Sequence, residues 1–155
     1  MSKANLIIPA LGGIYERLTP FALPLLRVVT GLTFAAHGYP KIINGFGPDG
    51  LSGLVSALEN AGFVPGIVWV WLAALTEFVG GIAIALGLFT RAFAFSAAVM
   101  MYLITFVYKG PDALAAFYQH KGGIEYDFVL AVIFTMFVIL GAGGYSIDAK
   151  LKKTF

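Results

Sequence analysis

Leu72-Ala-Ala-Leu-Thr-Glu-Phe-Val-Gly-Gly-Ile-Ala-Ile-Ala-Leu-Gly-Leu-Phe-Thr-Arg91 sets one carboxylate, Glu77, inside an apolar run long enough to cross a bilayer. Water cannot solvate a carboxylate at that position, and placing it there bare costs several kcal/mol or more. The rest of the chain must therefore pair, protonate or hydrate Glu77. The surrounding composition makes the same demand. Hydrophobic residues are 59% of the 155 and charged residues 12%, against about 25% charged in a soluble domain. A water-soluble fold of this size has too little interior to hide that much apolar surface. The chain reads as one membrane domain spanning residues 1–155.

Working outward from Leu72–Arg91, the sequence predicts an all-α membrane protein with four spans, at about 21–43, 65–88, 92–108 and 124–140. Trp69 and Trp71 sit near the outer end of the second span, as interfacial aromatics. Thr90-Arg91 makes a tight turn into the third. Pro20 and Pro24 suit the first turns of span one, where a missing N–H costs little. Gly31 and Ala35 form a small-xxx-small pair on which another helix can pack closely, and Ala94 with Ala98 offers a second such face. Residues 1–20 are spaced as a one-sided segment lying on the inner membrane surface. Leu51, Leu54, Val55 and Leu58 predict a short interfacial helix in the first outer loop, stopped by Gly62. Residues 109–123 predict a second one. Lysines and arginines are more numerous on the side of Lys3, Arg17, Arg91, Lys150, Lys152 and Lys153, which places both termini in the cytoplasm.

Several chemistries are excluded. The chain has no cysteine, which removes disulfides, thiolate metal sites and thiol redox chemistry. No group of histidines and carboxylates has metal-ligand spacing, so neither metal nor haem is expected. The positive charges form no nucleic-acid patch.

Counting depth at about 1.5 Å per residue puts Glu77 roughly 18 Å below the outer end of its span, between His37 above and Arg27 below on span one. Arg27 either snorkels to the inner headgroups or serves as the counter-ion of Glu77, where a guanidinium donates in a fork. His37 is either a hydrogen-bonded interfacial residue or a proton relay. Lys41 is an interface anchor or a charge facing Glu125 or Asp127. These two acids are ordinary residues at a helix start or the outer mouth of a polar track. Gly80-Gly81 either pack against a neighbouring helix or let a ligand approach the carboxylate. The aromatics, Trp71 and Tyr102 among them, either anchor the protein in lipid or wall a site for a planar ligand.

Six motifs follow in order: Arg27-x3-Gly31, His37-Gly-x2-Lys41, Glu77-x2-Gly80-Gly81, Gly87-Leu-Phe-Thr-Arg91, Gly122-Gly-x-Glu125 and Gly141-x-Gly-Gly-Tyr-Ser-x-Asp148. Over about residues 21–151 this series resembles the DoxX family of small bacterial four-helix membrane proteins. The resemblance implies a four-helix transmembrane bundle in the bacterial inner membrane. It also implies a link, through the related DoxD-type subunit of thiosulfate:quinone oxidoreductase, to quinone or sulfur redox chemistry. Without cysteine, the chain would bind quinone or an anion, or anchor a catalytic partner. The expected ligand site then comprises Glu77, Arg27, His37, Lys41, Glu125, Gly80, Gly81, Trp71 and Tyr102, with quinone as the cofactor. An accessory subunit of a larger membrane complex, and a small proton or solute transporter built as a homo-oligomer, are the alternatives.

Overall fold

The computed structural model describes residues 6–45, 50–109 and 124–151. A 3-10 turn over Pro9–Leu11 leads into α1, Gly12–Gly45. A short helix, α2, covers Ser52–Asn60. Helix α3 runs Gly66–Leu86, α4 runs Thr90–Tyr108, α5 covers Glu125–Leu140 and α6 covers Ile147–Leu151. No strand occurs among the described residues. Three helices, α1 with its leading 3-10 turn, α3 and α4, are long and apolar enough to cross a membrane. Helix α5 has 16 residues, about 24 Å at the helical rise. The outward faces carry large exposed apolar side chains such as Leu25, Val29 and Leu32 on α1, Leu72 and Val79 on α3, and Phe95 and Val99 on α4. Such a surface suits lipid.

The sequence places the start of the first span at residue 21, after a separate surface segment. Instead α1 is continuous from Gly12, and residues 12–20 are its first turns. Pro20 and Pro24 therefore lie inside the helix, as does Pro40. A proline deletes one backbone bond without ending a helix whose other bonds have no water to compete with them. Helix α2 occupies the position expected for the first interfacial helix, and Gly62 closes it with a φ of 90°. The second expected short helix falls almost wholly on residues outside the described ones.

Helices α1 and α3 lie antiparallel and in close contact. A Cβ on Gly31 would stand 2.6 Å from Ala85 N and 2.6 Å from Gly81 O. A Cβ on Gly81 would in turn stand 2.6 Å from Ala35 N. Gly31-x3-Ala35 thus meets Gly81-x3-Ala85, and the absence of side chains brings the backbones together. Helices α4 and α5 form the other closely packed pair, and Ala94, Ala97 and Ala98 of α4 are buried with Leu130, Ala131, Phe134 and Phe137 of α5. Phe34 of α1 and Ile84 of α3 complete this core. The Phe34 and Phe134 rings are 4.7 Å apart and join the two pairs.

Two helices depart from α geometry, α3 midway and α4 at its C-terminal end. In α3 the chain widens to a π turn over Thr76–Gly80, between α-helical Gly66–Leu75 and Gly81–Leu86. In α4 a second π turn covers Ile104–Tyr108. π turns re-aim the side chains they carry and are frequent at functional sites.

Candidate functional site

Glu77 lies in the first π turn and is 4% exposed. Its Oε2 accepts a hydrogen bond from Lys41 Nζ of α1, forming an ion pair in which Glu77 is buried and Lys41 is partly exposed. Gly38 makes this possible. A Cβ there would come 2.4 Å from Phe78 N and 2.8 Å from Glu77 Cβ, so α1 rests directly on the backbone of the π turn. Lys41 follows Gly38 by three residues, on the same face of α1, and its side chain spans the remaining gap.

The pair stands between two chambers. One, of about 150 Å³, is almost wholly apolar. Trp69 and Ala73 of α3 line it, together with Met100, Ile104 and Tyr108 of α4 and residues of α2. An apolar cavity of about 150 Å³ holds one benzene-sized ring. The other chamber, of about 270 Å³, is more polar. It is lined by His37, Tyr126 and Asp127, among others. The His37 and Tyr126 rings are 5.6 Å apart, and Asp127 pairs with Lys109. Lys41, Glu77 and Ile104 line both chambers. Ile104 is the first residue of the second π turn, so both distorted segments face the ion pair. A ligand ring in the apolar chamber would meet one donor and one acceptor at its wall, and titratable side chains lie directly behind them.

Arg27 is elsewhere, so it is not the counter-ion of Glu77. The register that sets Gly38 beside Glu77 sets Arg27 beside Gly87, just past the C-terminal end of α3. There Arg27 is 1% exposed, and its Nη2 donates to Tyr145 O at 3.0 Å. Its guanidinium occupies the space that a Cβ on Gly87 would need. Gly87 also has a φ of 71°, a conformation that glycine adopts without strain. Close by, the Asp148 carboxylate accepts from Phe89 N at 2.8 Å and Thr90 N at 3.0 Å. Asp148 N donates to Gly87 O at 2.8 Å. These contacts tie the segment after α5 to the α3–α4 turn.

The DoxX family model matches residues 22–110. This chain belongs to the DoxX family. It is 30% identical over 138 residues to an uncharacterized protein of Haemophilus influenzae, covering 89% of this chain and 96% of that one. It is 27% identical over 131 residues to the "Putative oxidoreductase CatD" of Bacillus subtilis, covering 83% and 86%. No solved structure matches it. With its long apolar helices, this DoxX chain is a membrane protein with lipid against its outer faces.

Of the residues that the sequence nominates, the structure brings together Glu77, Lys41 and His37. Lys41 takes the place expected of Arg27. Gly81 packs on α1, and a Cβ on Gly80 would meet the Phe93 ring at 3.4 Å, so both glycines serve helix contacts. Trp71 lies against Gly45 at the end of α1, while Trp69, two residues earlier and turned to the other side, faces the apolar chamber. Tyr102 turns toward α5, with its hydroxyl 3.3 Å from Thr135 Oγ1. Among the described residues that line the chambers, Glu125 is absent, and Tyr126 and Asp127 provide the polar contribution of α5. His120 lies outside the described residues. No group of three metal-ligating side chains gathers among the described residues.

Proposed function

We propose that this DoxX chain is a quinone-binding subunit of a membrane redox system, with the quinone ring in the apolar chamber. The observation that carries this reading is the Lys41–Glu77 pair, shared by a ring-sized apolar chamber and a polar one. A quinone needs an apolar slot for its ring, a donor for its carbonyl oxygen and a route for protons when it is reduced. The Lys41 ammonium donates to a ring oxygen. Glu77 holds Lys41 in place and accepts a proton from, or returns one to, the reduced ring. His37, Tyr126 and Asp127 exchange that proton with the outer side through the polar chamber. Arg27 has no part in this chemistry. The similarity to a Bacillus subtilis protein named as an oxidoreductase agrees with a redox role.

In the same reading α5 is the fourth span of a transmembrane bundle in the bacterial inner membrane, and α2 lies in the outer interface. The end of the molecule with Arg27, Arg91 and Lys150 then faces the cytoplasm, as positive charge on that side requires. Both termini lie there, and the electron partner is a further subunit or soluble protein docked on the same membrane.

The test is to extract quinone from the purified protein and then titrate quinone into Glu77→Gln. Glu77→Gln keeps the shape and removes the charge that positions Lys41. Affinity is expected to fall by about tenfold or more, the scale of a lost hydrogen bond to a charged group. A folded wild-type protein that neither carries nor binds quinone would overturn the reading. A second reading, an accessory subunit, is favoured by the ion pair itself, because Lys41 already satisfies Glu77 without any ligand. On that reading Glu77→Gln loosens association with partner subunits and leaves quinone binding absent throughout.

A further inference from the structure

A third cavity, of about 280 Å³, lies on the outward face between α3 and α4. It shares Trp69, Ala73, Met100 and Leu103 with the apolar chamber, so the two spaces adjoin. Apart from Thr76 and Ser96 its walls are apolar, and Leu72 and Phe95 face outward. Leu72 is 54% exposed and Phe95 is 61% exposed. A contact between Thr76 Oγ1 and Ser96 Oγ, 3.3 Å apart, pins α3 to α4 at the end farther from α2. The groove therefore opens sideways, where α3 and α4 present their apolar faces. From Leu103 to Ser96 it runs seven residues along α4, about 10 Å at the helical rise. That direction is away from α2 and toward the middle of the apolar span.

We infer that this groove is the lateral entry and tail track of the ligand, and that the ligand is a long-tailed amphiphile of the isoprenoid-quinone class. The inference rests on the head-group reading given above. Ala73 and Met100 line both the ring chamber and the groove, so a substituent on the side of the ring that faces them is directed toward the groove. The occupant is the tail of the bound molecule rather than a separate phospholipid, because four of the residues that line the groove also line the ring chamber, so the groove begins where a substituent on the ring would emerge. The groove supplies little affinity of its own, since a tail leaving lipid for an apolar protein wall gains no hydrophobic free energy. Its contribution is passage: a tailed ring can enter only if the tail has this exit.

The experiment compares two quinones with the same ring, 2,3-dimethoxy-5-methylbenzoquinone and its decyl derivative, in phosphatidylcholine nanodiscs. Concentrations are expressed per membrane lipid. Val99 and Leu72 line the groove and not the ring chamber, so Val99→Phe and Leu72→Phe narrow the track alone. Both sites face outward, and the larger side chains can be carried there without disturbing the core. The wild-type protein is expected to bind both quinones. The two variants keep the tailless quinone and lose about tenfold or more in affinity for the decyl compound. If both variants bind the decyl compound as the wild type does, the tail track is overturned while the head-group reading stands. If Glu77→Gln binds the tailless quinone as the wild type does, the head-group reading fails. In that case, loss of the decyl compound in Val99→Phe still establishes the groove as a tail site.

Discussion

Gly38→Ala is expected to lower the thermal stability of the protein and to abolish quinone binding, although it adds a single methyl group. The methyl would lie 2.4 Å from Phe78 N and 2.8 Å from Glu77 Cβ. The first of these neighbours is backbone inside a helix, and it has no rotamer into which to retreat. Helix α1 must move off the π turn, and Lys41 then loses its reach to Glu77. Overpacked sites usually cost about 1–3 kcal/mol, and the rigidity of both surfaces places this one at the upper end. Separating the ion pair adds the cost of an uncompensated buried carboxylate, about 3–5 kcal/mol. Gly13→Ala is the control, because nothing lies within 4 Å of a Cβ at Gly13 on the same helix. Alanine is the better helix former by about 1 kcal/mol, so Gly13→Ala is expected to be neutral or stabilising. Thermal unfolding in one detergent, with quinone titration alongside, gives both readouts. Equal behaviour of the two variants would show that the contact between α1 and the π turn does not hold the site together.

How far the sequence foretold the site depends on which physical quantity fixes each residue. Glu77 was legible because a carboxylate inside a long apolar run demands compensation whatever the fold. The family was legible from the series of short motifs that ends at Asp148. The contact face of Gly31 and Ala35 was legible because small residues four apart share one side of a helix. The partner of Glu77 was not. Counting depth from span ends assumes that α1 and α3 end at one level, yet Gly45 at the end of α1 meets Trp71, well inside α3, and that offset brings Glu77 nearer the level of Lys41 than of Arg27. The register was set instead by Gly38 meeting the backbone of Glu77 and Phe78, a contact between two helices that neither sequence segment shows alone. Rotation about the helix axis was equally hidden. Trp69 and not Trp71, and Tyr126 with Asp127 and not Glu125, face the chambers, because successive helical residues turn by about 100°. The π turn at Thr76–Gly80 alters that rotation locally, and its five residues carry no compositional mark of it. The signal that could have found Lys41 is its spacing from His37. Residues four apart lie on one face, and a polar pair on an otherwise apolar helix points toward the group that needs it.

Asp148→Ala is expected to be the most destabilising change at the other end of the molecule, at a residue that touches neither chamber. Phe89 N and Thr90 N would lose their acceptor. The Arg27 guanidinium would lose the nearby carboxylate whose charge acts on it. Arg27 is fully enclosed, and its Nε and Nη1 have no hydrogen-bond partner among the described residues, so little remains to offset a lost negative charge. Leaving buried donors without their acceptor costs about 1–3 kcal/mol, and more where a charged group is involved. Asp148→Asn keeps one acceptor oxygen and is expected to fall between the wild type and Asp148→Ala. In a double-mutant cycle, Arg27→Gln and Asp148→Asn should be coupled by about 0.5–3 kcal/mol, as neighbouring charges are. The folded fraction of Asp148→Ala, however, should bind quinone with wild-type affinity, because the tie lies at the far end of α3 from Lys41 and Glu77. Unfolding measured with and without saturating quinone separates the two effects. A loss of affinity at unchanged stability would make Asp148 and Arg27 part of the binding apparatus, whereas the geometry makes them the clasp that holds the α3–α4 turn to the segment after α5.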